Sequence, residues 1–309
     1  MAEISELSIS KSAVRSASTM RRSGGNYRWL PFWLLLPSMA VLLVVQVLPT
    51  LYSFYLSTTR VRAGQFQNVG INNYLRLLRL PSFWDSVRVT AIYAGIYIAI
   101  TVVLGVMVAL LLNRRIKFTG VYLIAIFIPW IISDVVVGTM WRWLFQQTYG
   151  PIQVWIDQNA PFIGHSLYTT ASGALSIVII AAIWRGLAFT TLIALGALQT
   201  VPGEIIESAA LDGANRVQRF FGVILPIIRP TVLVMVLLTS IQAINSVGLI
   251  YSITKGEPGG ATRTVSFYLL QTGWSEGDFG TGSAIAVLMF GANLVLTLVY
   301  LRLIGSKRD

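Results

Sequence analysis

The sequence holds no cysteine and a single histidine among its 309 residues. The first absence removes disulfides, thiolate metal sites and cysteine nucleophiles, and one histidine makes no metal cluster. His165 lies in a polar stretch and reads as a solvated loop residue. Charge is scarce as well. Asp, Glu, Lys and Arg make up 11% of the chain, against about 25% in average globular proteins, so a soluble domain is not expected. The only lysines are Lys11, Lys117, Lys255 and Lys307, and none sits in a phosphate-cradling G-x-x-x-x-G-K-[ST] loop. No Ser/His/Asp set and no paired carboxylates stand near one another. The chain therefore reads as a non-enzyme with no metal and no cofactor of its own.

What is abundant is apolar. Hydrophobic residues make up 55% of the chain and the mean hydropathy is +0.71. Crossing the hydrocarbon core takes about 20 apolar residues, and six runs reach that length, at 30–59, 89–112, 119–145, 171–200, 231–254 and 279–301. Pro31, Pro37 and Pro49 kink or bound the first. The net charge of +11 needs no nucleic acid, because Lys and Arg flanking membrane spans produce the same excess. Residues 1–29 are Ser-rich, carry Lys11, Arg15, Arg21, Arg22 and Arg28, and read as a mobile cytoplasmic tail. The apolar run behind them is too long for a signal peptide, and Glu3 and Glu6 argue against a transit peptide. With both termini inside, the inner segments hold 14 Lys and Arg and the outer loops 7. That bias favours an N-in, C-in arrangement, although the Arg-containing loop at 60–88 runs against the rule.

Between the fourth and fifth runs lies a polar island at 202–226. Pro202 suits the start of a helix, and Glu204 and Glu207 complement its dipole in the opening turns. Ile205, Ala209 and Ala210 share one face, and Gly213 offers a backbone break. A second short helix presents Val217, Phe220, Phe221 and Ile224 at helical spacing, with Leu225-Pro226 closing it. Such an elbow suits docking into a partner's groove.

Three charged residues fall inside the apolar runs, Arg142 near the end of the third and Asp134 and Arg185 deeper in. Asp134 and Arg185 each stand 15 residues from the same end of their spans, or about 22 Å at 1.5 Å per residue. Gln242 and Asn245 reach a similar depth on the fifth run. An ionised side chain at mid-bilayer costs about 2.5–3.5 kcal/mol on insertion scales. Either the two charges neutralise each other and brace the bundle, or the polar layer lines a solute path. Gly105, Gly138 and Gly291 read as close helix-packing positions.

The elbow residues Glu207, Ala209, Ala210, Asp212, Gly213, Ala214, Ile224, Leu225 and Pro226 resemble the EAA loop of ATP-binding-cassette importer permeases, with Ser208 in place of that motif's first alanine. Further stretches resemble carbohydrate permeases of the maltose and glycerol-phosphate type. They are P-F-W-L-L-L-P at 31–37 with Leu48-Pro49 and Ser53, G-I-N-N-Y at 70–74, Pro129-Trp130, M-W-R-W-L-F at 140–145, and G-E-P-G at 256–259 with Ala261-Thr262. The W-R-W-L-F segment before Tyr149-Gly-Pro most resembles the first of the two permease subunits. Coverage runs over residues 30–305, leaving tails at 1–29 and 306–309.

The resemblance implies an all-α membrane protein with the type I importer fold, six transmembrane helices and a cytoplasmic coupling loop at 202–226. That loop, Phe220 included, would fit the ATPase subunit. It also implies a second homologous permease forming a heterodimer, two cytoplasmic ATP-binding subunits that carry ATP and Mg, and an extracytoplasmic solute-binding protein. The setting would be a bacterial cytoplasmic membrane, with lipid and no nucleic acid as surroundings. Sugar-contacting positions of the maltose type match Trp130, Asp134, Gly186 and Phe189, with Gln242, Asn245 and Ser246 as a polar cluster and Arg185 at the same depth. The expected function is half of the pathway for a small carbohydrate. A permease for another polar solute, such as a polyamine or phosphate ester, is the nearest alternative. A stand-alone secondary transporter would show an internal repeat and ion-coupling carboxylates, of which only Asp134 qualifies.

Overall fold

A backbone in lipid must satisfy its own hydrogen bonds, and helices dominate the computed structural model, which describes residues 30–62, 65–114, 117–160 and 167–305. The tails at 1–29 and 306–309 and the loop residue His165 lie outside the described residues. One compact unit runs to Tyr52 and a second starts at Ser53. The first unit contains α1 (Leu30–Leu42), a π-helical turn at Leu43–Val47 and the start of α2 (Leu48–Ser57). Pro37 sits inside α1 without ending it. Pro49 has no N–H to give, and the widened turn before it absorbs the lost bond, with the Leu48 N–H reaching the Leu43 carbonyl.

The second unit opens with a hairpin of β1 (Thr59–Arg62) and β2 (Gln65–Asn68), followed by α3 (Asn72–Arg79). Gly70, at φ +55°, makes the turn between them. The buried Asn73 donates its amide to the carbonyls of Ser57 and Thr59 at 2.9 and 2.8 Å, and the Tyr74 hydroxyl reaches Ser57 Oγ at 2.7 Å. The G-I-N-N-Y segment is thus a corner clamp. Arg76 pairs with Asp278 at 2.5 Å, tying this corner to the start of the last helix.

The remaining helices are α4 (Pro81–Leu112), α5 (Thr119–Ile131), α6 (Asp134–Leu144), α7 (Pro151–Asn159), α8 (Ala171–Gln199), α9 (Gly203–Leu211), α10 (Arg216–Arg219), α11 (Leu225–Ile244), α12 (Gly248–Ile253), α13 (Val265–Leu270) and α14 (Phe279–Gly305). Among the described residues, five helical stretches are long and apolar enough to cross a membrane: Phe32–Ser57, Pro81–Leu112, Ala171–Gln199, Arg216–Ile244 and Phe279–Gly305. A sixth crossing exists if α5 and α6 count as one broken span, bent by 95°.

Three spans depart from the sequence reading. The second begins at Pro81 rather than 89, because its polar opening turns carry a helix-starting proline. The third is broken at Ile132–Ser133. The fifth begins at the elbow and ends at Ile244, ten residues before the expected 254. Leu225-Pro226 does not close the elbow's second helix. Pro226 lacks an N–H and would crowd the carbonyl four residues back, so residues Phe220–Ile224 widen into a π-helical turn. The Leu225 N–H then bonds the Phe220 carbonyl and the helix continues into α11.

Close approach of α4 and α8 sets the centre of this unit. A Cβ on Gly105 would collide with Thr190, whose hydroxyl donates to the Thr101 carbonyl at 3.1 Å. Helix α8 has 56% of its most apolar window buried, more than any other span. Gly138 serves the same purpose between α6 and α12, where a Cβ would lie 2.5 Å from Ser252 Cβ. Gly291 does not pack this way, since nothing lies within 4 Å of its missing Cβ.

Candidate functional site

Two chain breaks meet at one cavity. The first, Ile132–Ser133, separates α5 from α6. The second, Asn245–Val247, separates α11 from α12. Gly248 makes their approach possible, because a Cβ there would stand 2.6 Å from Asp134 Cβ. Between them opens a cavity of about 540 Å³, lined by Tyr93, Tyr97, Trp130, Asp134, Arg185, Gln242, Asn245 and Ser246 with neighbouring backbone. Unwound backbone inside a membrane is tolerated where it lines a cavity or is buried in protein, and both breaks meet that condition.

Arg185 on α8 holds the first break together. Its Nε lies 2.8 Å from Asp134 Oδ1 and donates at 3.5 Å to the Ile132 carbonyl. One guanidinium therefore caps the end of α5 and balances the acid that opens α6. Asp134 also sits in the first turn of α6, where a negative charge complements the helix dipole. Among the described residues these two are the only charged side chains lining the cavity, so its charge is balanced. Both remain partly open to it, with side chains 35% and 28% exposed for Asp134 and Arg185.

Aromatic faces and amides complete the wall. Tyr93 and Tyr97 stack at 5.9 Å with planes 3° apart. Trp130 stacks on Phe189 at 6.4 Å and 23°. The Asn245 amide donates to the Ile241 carbonyl at 2.7 Å, and its Oδ1 accepts from Asn293 on α14 at 3.4 Å. The Ser246 carbonyl, freed by the break, accepts from Ser266 Oγ at 2.7 Å.

Of the eight residues named from sequence, six line this cavity: Trp130, Asp134, Arg185, Gln242, Asn245 and Ser246. Gly186 and Phe189 do not. Gly186 is buried against the Tyr97 hydroxyl, and Phe189 backs Trp130. Asn245 and Ser246 sit in a break, not in a helix as the sequence reading assumed. Tyr93, Tyr97 and Asn293 were missed. Two tyrosines four residues apart on a charge-free span share one face, and that spacing was the available signal. Gly186→Ala would force its methyl onto the Tyr97 hydroxyl and push that ring into the cavity. The misfit should destabilise the chain by a repacking penalty of about 1–2 kcal/mol, read as a lower melting temperature. Gly196→Ala on the same helix, with nothing within 4 Å of the new Cβ, should not lower the melting temperature.

A second feature lies at the elbow. Helix α9 ends in a Schellman turn: the Gly213 N–H bonds the Ala210 carbonyl at 3.2 Å and the Ala214 N–H the Ala209 carbonyl at 3.1 Å. That geometry needs the left-handed conformation, and Gly213 holds φ +85°. Asn215 then starts α10 with a reciprocal capping box to Gln218, at 2.9 and 2.8 Å. None of α9 is buried. Glu207, Ala210, Asp212, Gly213 and Pro226 are exposed, while Ala209, Ala214, Phe220 and Leu225 are half-buried. Leu211 is 89% exposed, with Val217 and Phe221 also open. Such large apolar side chains on a capped, ordered turn suit contact with a partner.

Comparison with known proteins gives concordant likenesses. Residues 101–308 match the family described as binding-protein-dependent transport system inner membrane component. The chain is 33% identical over 282 residues to the trehalose/maltose transport system permease protein MalF of Thermococcus litoralis, covering 91% of this chain and 95% of that one. It is 29% identical over 283 residues to the sulfoquinovosyl glycerol transport system permease protein SmoG of Agrobacterium fabrum, covering 91% and 92%. In fold it is similar to a chain of the crystal structure of a bacterial ABC transporter involved in the import of the acidic polysaccharide alginate. The TM-score is 0.76 at 20% identity, over 91% of this chain and 96% of that one.

Proposed function

Because the chain belongs to the family of binding-protein-dependent transport system inner membrane components, we propose that it forms half of the translocation pathway of an ATP-driven importer for a small carbohydrate. The observation that carries this reading is the cavity at the two broken helices. Amides and hydroxyls there satisfy sugar hydroxyls, and aromatic faces cover the apolar faces of a sugar ring. Asp134 and Arg185 balance each other, so neither a polyamine nor a phosphate ester finds an uncompensated charge among the described residues lining this cavity. That favours a neutral polyhydroxy solute. The relatives that transport trehalose or maltose and sulfoquinovosyl glycerol support the sugar class.

The chain from residue 30 to 305 would act as one permease domain in a cytoplasmic membrane. A homologous permease would supply the other half of the pathway. Two ATPase subunits, holding ATP and Mg, would grip the elbows, and an extracytoplasmic binding protein would deliver solute. ATP-driven closure of the motor would then move the elbows together and re-pack the broken helices, exposing the cavity to alternate sides. Uptake into vesicles holding the assembled transporter, tested across neutral sugars, acidic sugars and polyamines, checks the solute. Saturable, ATP-dependent uptake of a neutral sugar is expected; uptake of a polyamine alone would overturn it.

Orientation is a separate expectation. With no native cysteine to interfere, a cysteine at Gln218 should react only from the cytoplasm and one at Asp157 only from outside. External labelling at 218 would reverse the arrangement.

A further inference from the structure

A cavity of about 490 Å³ lies where the elbow meets the end of α4, walled by Leu110, Phe220 and Ile224 and edged by Arg114, Arg216 and Arg219. Among the described residues, no acidic residue lines it. Among the described residues, none of these three arginines pairs with a carboxylate. The Nε of Arg219 is fully buried and has no hydrogen-bond partner, which leaves a cationic donor in need of an acceptor. The position is specific too. Arg114 stands two residues past the end of one apolar span, and Arg216 and Arg219 open another, so all three stand at the level where a bilayer's headgroups begin.

From this juxtaposition we infer that the cavity binds one anionic phospholipid, its phosphate held by Arg114, Arg216 and Arg219 and the start of its acyl chain against Leu110, Phe220 and Ile224. Guanidinium groups favour phosphate oxygens through paired N–H donors, and basic pockets at span ends hold anionic headgroups. An acidic loop of the ATPase is the competing occupant. The buried Arg219 Nε and the span-end walls favour lipid, and the elbow's most exposed apolar side chain, Leu211, lies outside the cavity, free for a soluble partner. A lipid seated there would couple the elbow's hinge to membrane composition, independently of which solute is carried.

The test is native mass spectrometry of the full chain in detergent, titrated separately with phosphatidylglycerol, phosphatidylcholine and inorganic phosphate. Wild type should retain phosphatidylglycerol in preference to phosphatidylcholine, and millimolar phosphate should not displace it. Arg219→Gln should weaken that binding about fivefold and the triple Gln variant at 114, 216 and 219 roughly a hundredfold, following the usual attraction per basic residue. Arg219→Lys should keep most of it. Arg302→Gln, at the end of another span, should change nothing. Equal retention of both lipids, equal loss in Arg302→Gln, or displacement by phosphate alone would overturn the assignment. Loss of ATPase co-purification with lipid binding intact would give the arginines to the ATPase and overturn it as well.

Discussion

Gly213→Val should abolish solute uptake and the ATP hydrolysis linked to it, a fall of more than a hundredfold, while the purified chain stays folded and inserted. The reason lies in one dihedral angle. Gly213 closes the Schellman turn at φ +85°, and a β-branched residue there costs about 1–2 kcal/mol of backbone strain. Nothing lies within 4 Å of its missing Cβ, so no clash adds to this figure. A penalty of that size does not unfold a domain. It does shift the turn, and with it the angle at which α9 and α10 meet a partner. Gly213→Asn is the sharper control, because Asn enters the left-handed region at little cost and should retain most activity. Glu207→Lys, on an exposed face of α9, should abolish coupling by charge reversal without strain. Normal uptake by both Gly213→Val and Glu207→Lys in reconstituted vesicles would remove the elbow's docking role.

The elbow was legible in the sequence because its signals are local. A proline at the start of a helix, a glycine after it and apolar residues at helical spacing all act within a few residues. What was not legible depended on longer contacts. The break at Ile132–Ser133 has no proline or glycine at the break itself to mark it. It is held by Arg185, which is 53 positions away in sequence at the Ile132 carbonyl. Likewise Asn245 and Ser246 look helical in an apolar run, yet the chain unwinds there and α12 turns to pack on α6. The proline at 226 misled in the opposite sense. It reads as a stop, but a π-helical turn accommodates it and the span continues. Equal depth of Asp134 and Arg185 was computed from straight helices, and the residues do meet, across a span that is bent.

Removing Asp134's charge is the change with the most to reveal about the cavity. An ion-pair partner removed from a buried site typically costs 3–5 kcal/mol. Here Asp134 is 35% exposed, so cavity water screens the charge left behind and about 2 kcal/mol is expected. Asp134→Asn should therefore still express. Arg185→Met should be the worse variant, since it strands both a carboxylate and the Ile132 carbonyl at the end of α5. Exchanging the two residues should rescue neither. A guanidinium at position 134 would face the positive end of the α6 dipole, and a carboxylate at 185 would face the Ile132 carbonyl oxygen. Failure of the exchange thus says nothing about solute contact. Selectivity does. With Asp134 neutral, Arg185 becomes an uncompensated cation in the cavity, and an acidic sugar supplies the missing charge. Uptake of a uronic acid should gain about tenfold over its neutral counterpart, a difference of about 1.4 kcal/mol, while affinity for the neutral sugar falls. Competition between the two sugars in vesicles measures this ratio directly. An unchanged ratio together with unchanged affinity, at normal expression, would make the pair a brace for the broken span and remove it from the solute path.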